Sequence, residues 1–168
     1  AEAGDVNAMV NLGKCLEDGR NVACDEIAAA NWYRSAAECG DAVAMRNLGI
    51  CYANGYGVPL DLSQSVQWIK AAAHKGNTGA MINLGVAYTD GNGVPKSDEA
   101  AFSWFRKAAE NGNAVGMLYL GQCFEFGVGV EKDTDEAIAW YRHAGDTDEY
   151  MGNERAEALE LQADSPRD

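Results

Sequence analysis

The chain has 168 residues, 47% hydrophobic and 23% charged, an ordinary mix for a globular protein long enough to bury a core. Thirteen basic residues against 26 acidic ones leave a net charge of −13, which repels phosphate backbones and argues against nucleic-acid binding. No apolar run approaches the roughly 18 residues that a membrane span needs, so membrane insertion of this segment is not expected.

The acidity either serves solubility or favours a basic partner, whose on-rate would fall as salt rises. The chain opens on Ala1 without a secretory signal, and it is expected to be part of a longer protein.

A repeat runs through the chain. Leu-Gly stands at Leu12-Gly13, Leu48-Gly49, Leu84-Gly85 and Leu120-Gly121, and the four tryptophans are Trp32, Trp68, Trp104 and Trp140. Met9, Met45, Met81 and Met117 recur at the same interval of 36 residues, as do Gly19, Gly55, Gly91 and Gly127. Valines follow at Val22, Val58, Val94 and Val130. Four repeats are expected, at about 5–40, 41–76, 77–112 and 113–147. The opening Ala-Glu-Ala-Gly-Asp matches Ala37-Glu38-Cys39-Gly40-Asp41, so residues 1–4 read as the end of a preceding repeat.

Each repeat reads as two helices. Helix A is expected at 6–18, 42–54, 78–90 and 114–126. In the second copy Ala44, Met45, Leu48 and Tyr52 fall on one helical face. Asp5, Asp41, Asn77 and Asn113 precede these helices as N-caps, and a left-handed glycine ends each of them. Helix B is expected at about 26–39, 62–75, 98–111 and 134–146, capped by Asp25, Asp61, Ser97 and Asp133. Its apolar stripe in the first copy is Ala29, Trp32, Tyr33 and Ala36. A lone hairpin cannot bury that stripe, so neighbours must stack, burying Trp, Leu and Tyr between them. Residues 148–163 read as a C-terminal capping helix, with Ala156-Glu157 where Leu-Gly would stand. Residues 164–168 are expected to be a disordered tail.

The pattern Ala-Met-x-x-Leu-Gly-x-x-Tyr-x-x-Gly-x-Gly-Val, followed by Trp and Ala-Ala-x-x-Gly, is clearest at Ala44 to Gly76 and Ala80 to Gly112. It resembles the Sel1-like repeats, relatives of the tetratricopeptide repeats, over about residues 1–147. The first copy departs from it at Leu16 and Asn21, and the fourth at Gly116, Phe124 and Gly145. The resemblance implies an all-α fold, an α/α superhelix (solenoid) of helix-turn-helix repeats. It also implies a scaffolding role, since such proteins act as adaptors in secretion, quality control, signalling and envelope processes.

If the packing is similar to that of tetratricopeptide repeats, helix A lines the concave face, and its variable positions read the partner. These are Val10, Arg46, Ile82 and Leu118, then Lys14, Ile50, Val86 and Gln122. They suggest a groove for an extended or helical peptide with an apolar stripe and an acidic group. Asn11, Asn47 and Asn83, with Tyr119 in the fourth copy, form a ladder that either pairs with a peptide backbone or satisfies neighbouring groups.

Other signals point to structure. The Gly-x-Gly-Val segments follow helices rather than strands and lack a Lys-Ser/Thr, so they read as turns and not phosphate loops. Cys15, Cys51 and Cys123 share one repeat position and read as small packing residues. Some Sel1-like proteins carry a cysteine pair in each repeat, at positions matching Ala37 and Met45 here, and this chain lacks it. The five cysteines therefore favour free thiols and a cytoplasmic setting. His74 and His143 lie near the ends of helix B. No His/Cys/Asp cluster has metal-ligand spacing, no cofactor motif is evident, and no nucleophile–base pair supports catalysis.

The expectation is a non-catalytic adaptor that binds another protein or peptide. Its rivals are a regulatory or spacer domain of a larger enzyme, and a hydrolase like some cysteine-rich relatives.

Overall fold

The computed structural model describes residues 5–19, 23–147 and 152–163. The expected remnant at 1–4, the repeat valine Val22, the start of the capping segment at 148–151 and the tail at 164–168 lie outside them. Among the described residues there are nine helices and no strand. They are α1 (Val6–Asp18), α2 (Glu26–Glu38), α3 (Ala42–Asn54), α4 (Leu62–His74), α5 (Thr78–Asp90), α6 (Asp98–Glu110), α7 (Ala114–Phe126), α8 (Thr134–Thr147) and α9 (Asn153–Ala163). The fold class is an all-α solenoid of helix hairpins, A helices odd-numbered and B helices even-numbered.

Side-chain caps start the helices. The Asp41 carboxylate accepts the Ala44 N–H at 2.7 Å, Asn77 accepts that of Ala80 at 2.9 Å, and Asp25 accepts that of Ala28 at 2.9 Å. The A helices stop where the chain turns left-handed. At Gly55, φ is +76° and the N–H reaches back to the Cys51 carbonyl at 2.8 Å.

The chain divides into two compact units, Ala1–Ala80 with Asn92–Val94 and Met81–Gly91 with Pro95–Asp168. In the first unit α1 packs on α2, α2 on α3, and α3 on α4. In the second, α6 packs on α7, α7 on α8, and α8 on α9.

The core differs from the expected stripe at one position. All four tryptophans are only half-buried, and the residue after each is the deep one: Tyr33, Ile69, Phe105 and Tyr141 are buried. One step along a helix turns a side chain through about 100°, which carries the indole to the rim. There Lys107 Nζ sits 4.2 Å from the Trp104 ring centre, and Trp140 lies beside His143.

The Leu-Gly pair answers this arrangement. Leu48, Leu84 and Leu120 of the pairs are buried, and each glycine makes room for the deep helix-B side chain of its own repeat. A Cβ on Gly13 would fall 2.7 Å from Tyr33 Cε1, on Gly49 2.5 Å from Ile69 Cγ1, on Gly85 2.6 Å from Phe105 Cδ1, and on Gly121 2.8 Å from Tyr141 Cε1. These separations are far inside van der Waals contact. The A and B helices of a hairpin approach this closely only because the facing residue has no side chain.

The Gly-x-Gly turns have a second task. Gly57 presses on the backbone of Glu26 and Ile27 in the first unit, and Gly129 on Asp98 and Glu99 in the second. Each turn is therefore docked on the first turn of the preceding helix B.

Candidate functional site

In the second unit, the C-terminal halves of α5 and α7 flank a depression of about 300 Å³. Val86, Thr89 and Asp90 line it from α5, Tyr119, Gln122, Cys123 and Phe126 from α7, and Phe105 and Val128 complete the lining. The Tyr119 ring lies flat on Phe105, centroids 4.6 Å apart and planes 9° from parallel. Ile82, Val86 and Tyr119 pack on the cluster of Ala101, Phe105 and Cys123 yet stay half-exposed. Thr89 turns inward, its hydroxyl donating to the Gly85 carbonyl at 3.0 Å. Phe126 is 63% exposed.

A wider cleft of about 660 Å³ adjoins it, sharing Gln122 and Phe126, and lined further by Leu118, Glu125, Tyr141, Asn153, Glu154, Arg155 and Ala158. Glu125 is only 6% exposed. Its carboxylate accepts the Tyr141 hydroxyl at 2.7 Å and a two-pronged bond from Arg155 of α9, with Nε at 3.1 Å and Nη2 on the other oxygen. Burial alone would raise the Glu125 carboxyl, but the Arg155 and Tyr141 bonds outweigh it and hold it below the ordinary carboxylate range. Burial, reinforced by Glu125, pushes the Tyr141 phenol up. The three groups form a closed, satisfied network that fastens α9 to the array.

The same pairing occurs in the first repeat, where the Tyr33 hydroxyl donates to Glu17 at 2.6 Å. The middle repeats carry Ile69 with Ala53 and Phe105 with Thr89 at these positions. A deep tyrosine comes with a glutamate sixteen residues earlier, because a buried hydroxyl needs an acceptor.

In the first unit Asn11 and Lys14 are exposed, and Val10, Arg46, Asn47 and Ile50 are half-buried. Arg46 lies against the start of α5, since a Cβ on Gly79 would fall 2.9 Å from its Nε. A depression of about 250 Å³ in this unit is lined by Glu17, Glu26, Ala29, Cys51 and Tyr56, none from the expected groove set. In the second unit the structure brings Val86, Leu118, Tyr119 and Gln122 to the two depressions, while Ile82 and Asn83 are half-buried outside their linings.

The ladder continues one step beyond Tyr119, to Arg155. Both touch helix-B or neighbouring core groups, Tyr119 through its stack on Phe105 and Arg155 through Glu125. At these two steps the position ties one repeat to the one before.

Among the lining residues that the variable A-helix positions do not include are Asp90 and Phe126. They share one repeat position with Asp18 and Asn54, and its variation across the copies was the available signal.

Burial pushes the Cys51 and Cys123 thiols up to about 11, so they stay protonated at neutral pH and are weak nucleophiles. Among the described residues, no group of three His, Cys, Asp or Glu is placed to hold a metal ion, and no helix is long and apolar enough to cross a membrane.

The chain is similar in structure to a Sel1 repeat protein from Oxalobacter formigenes, with 31% identity and a TM-score of 0.84 over 95% of this chain and 63% of that one. It is similar to a protective antigen of uropathogenic Escherichia coli displaying an SLR fold, with 29% identity and a TM-score of 0.84 over 98% of this chain and 36% of that one. It therefore spans less than two thirds of either protein. Cysteine rich protein B of Helicobacter pylori, 18% identical with a TM-score of 0.54 over 95% of this chain and 97% of that one, shares the fold alone. No curated protein sequence matches the chain. A family model described as Sel1 repeat matches residues 6–41, 42–77, 78–113 and 114–146. With more than half of its length so matched, the chain belongs to the Sel1 repeat family, whose members are generally protein-interaction modules.

Proposed function

We propose that this chain is a non-catalytic protein-binding module that takes a peptide segment of another protein against the variable positions of its A helices. The observation that carries this reading is the pair of adjoining depressions in the second unit. Four residues that vary between repeats, Val86, Leu118, Tyr119 and Gln122, line them. Residues shared by all copies, such as Leu84, Gly85 and Leu120, are consumed by the core. A surface that varies while its support repeats is free to be shaped by a ligand. In the first unit the corresponding positions, Val10, Asn11, Lys14, Arg46, Asn47 and Ile50, are assigned the same role.

Gln122 gives the test, because it is exposed and borders both depressions. Proteins captured on the immobilised chain are expected to be lost when Gln122→Arg is the bait, with helicity and unfolding midpoint unchanged. Capture of the same proteins by both baits would reject the placement.

A further inference from the structure

The smaller depression in the second unit has a specific chemistry, and this inference rests on the protein-binding reading above. Its wall is apolar, made by Val86, Phe105, Tyr119, Cys123, Phe126 and Val128. Its one charged lining group is Asp90. About 300 Å³ is small for a drug-sized ligand and suits one or two bulky side chains.

Asp90 is the last residue of α5, immediately before the left-handed Gly91. A negative charge there faces the negative end of the helix dipole. Among the described residues no cation is paired with it. In the adjoining cleft Arg155 neutralises Glu125, and the lining also carries Glu154, with which no cation among the described residues is paired. Both groups, Asp90 and Glu154, are acidic, in a chain whose net charge is −13. The exposed Phe126 ring stands on the ridge common to both depressions, where a guanidinium or ammonium would also meet a π face.

We infer that the occupant is a partner segment carrying a bulky apolar residue beside a Lys or Arg. The apolar side chain fills the space between Val86 and Phe126, and the cation pairs with Asp90. Affinity comes mainly from the buried anchor, and the charge selects the partner and speeds the encounter.

The test is a selection of random dodecapeptides displayed on phage against the full chain, followed by titration of the recovered peptides. Recovered sequences are expected to share an aromatic or large aliphatic residue next to Lys or Arg. Their affinity should fall about tenfold or more in Phe126→Ala and in Asp90→Lys, and should weaken as NaCl rises from about 0.05 M to about 0.5 M. Both residues are exposed, and matching circular dichroism of the variants confirms that they fold. Peptides that bind, and are lost with Gln122→Arg, yet lack a basic residue or ignore Asp90→Lys would overturn this inference and leave the protein-binding reading standing. Recovery of no peptide, or of peptides indifferent to Gln122→Arg, would overturn both.

Discussion

Alanine at Gly129 is expected to destabilise the chain by about 2–5 kcal/mol, far more than alanine at Gly127 two residues earlier. Both glycines are left-handed, with φ of +69° and +74°, so both substitutions carry the same backbone strain of about 1–2 kcal/mol. They differ in what the new methyl meets. At Gly127 its neighbours are the Val130 carbonyl at 3.6 Å and Lys132 at 3.7 Å, ordinary contact. At Gly129 it collides with the Asp98 carbonyl and comes within 2.9 Å of Glu99 Cα. Those atoms are backbone in the first turn of α6, and they cannot swing aside as a side chain can. Urea unfolding followed by circular dichroism compares the two variants directly. Equal losses would mean that the turn is not docked on α6.

The second large effect is at Gly85. Alanine in the middle of a helix ordinarily stabilises it by about 0.5–1 kcal/mol relative to glycine. Here the opposite sign is expected, a loss of about 2–3 kcal/mol from overpacking. The Phe105 ring occupies the space that the methyl requires. Phe105 is itself stacked against Tyr119. Phe105→Leu alone should also destabilise, by leaving a gap. Combined with Gly85→Ala, it should cost less than the two added together, with a coupling of about 1 kcal/mol or more. A stabilising Gly85→Ala, or strict additivity, would show that the hairpin does not close on this pair.

The repeat made the fold legible. A strict interval of 36 residues located the hairpins, and Asp41 and Asn77 capping Ala44 and Ala80 are local chemistry readable without coordinates. The deep position on helix B was harder. Trp32, Trp68, Trp104 and Trp140 are invariant among the copies, yet Tyr33, Ile69, Phe105 and Tyr141 beside them vary and fill the core. Periodicity gives the direction of a stripe but not which of two adjacent large residues lies at its centre. Comparing the copies could have resolved it, because Tyr33 goes with Glu17 and Tyr141 with Glu125, while Ile69 and Phe105 do without.

The candidate site was less legible than the fold. Of the variable A-helix positions, Val86, Leu118, Tyr119 and Gln122 line the two depressions of the second unit. Asp90 and Phe126 were missed because they stand at the last helical residue, where a short motif shows only the glycine that follows. Arg46 shows the other difficulty. It varies as a ligand-reading residue would, yet its guanidinium is packed on Gly79, a contact set by the neighbouring hairpin and invisible one repeat at a time.

Chemical-shift mapping of the isotopically labelled chain, titrated with a captured partner, is the most direct trial of a ligand surface on the A helices. The largest shifts should gather on Val86, Tyr119, Gln122 and Phe126, and the indole signals of Trp104 and Trp140 should stay in place. Shifts concentrated at those two indoles, with the ends of α5 and α7 silent, would put the partner on the B helices and contradict the account.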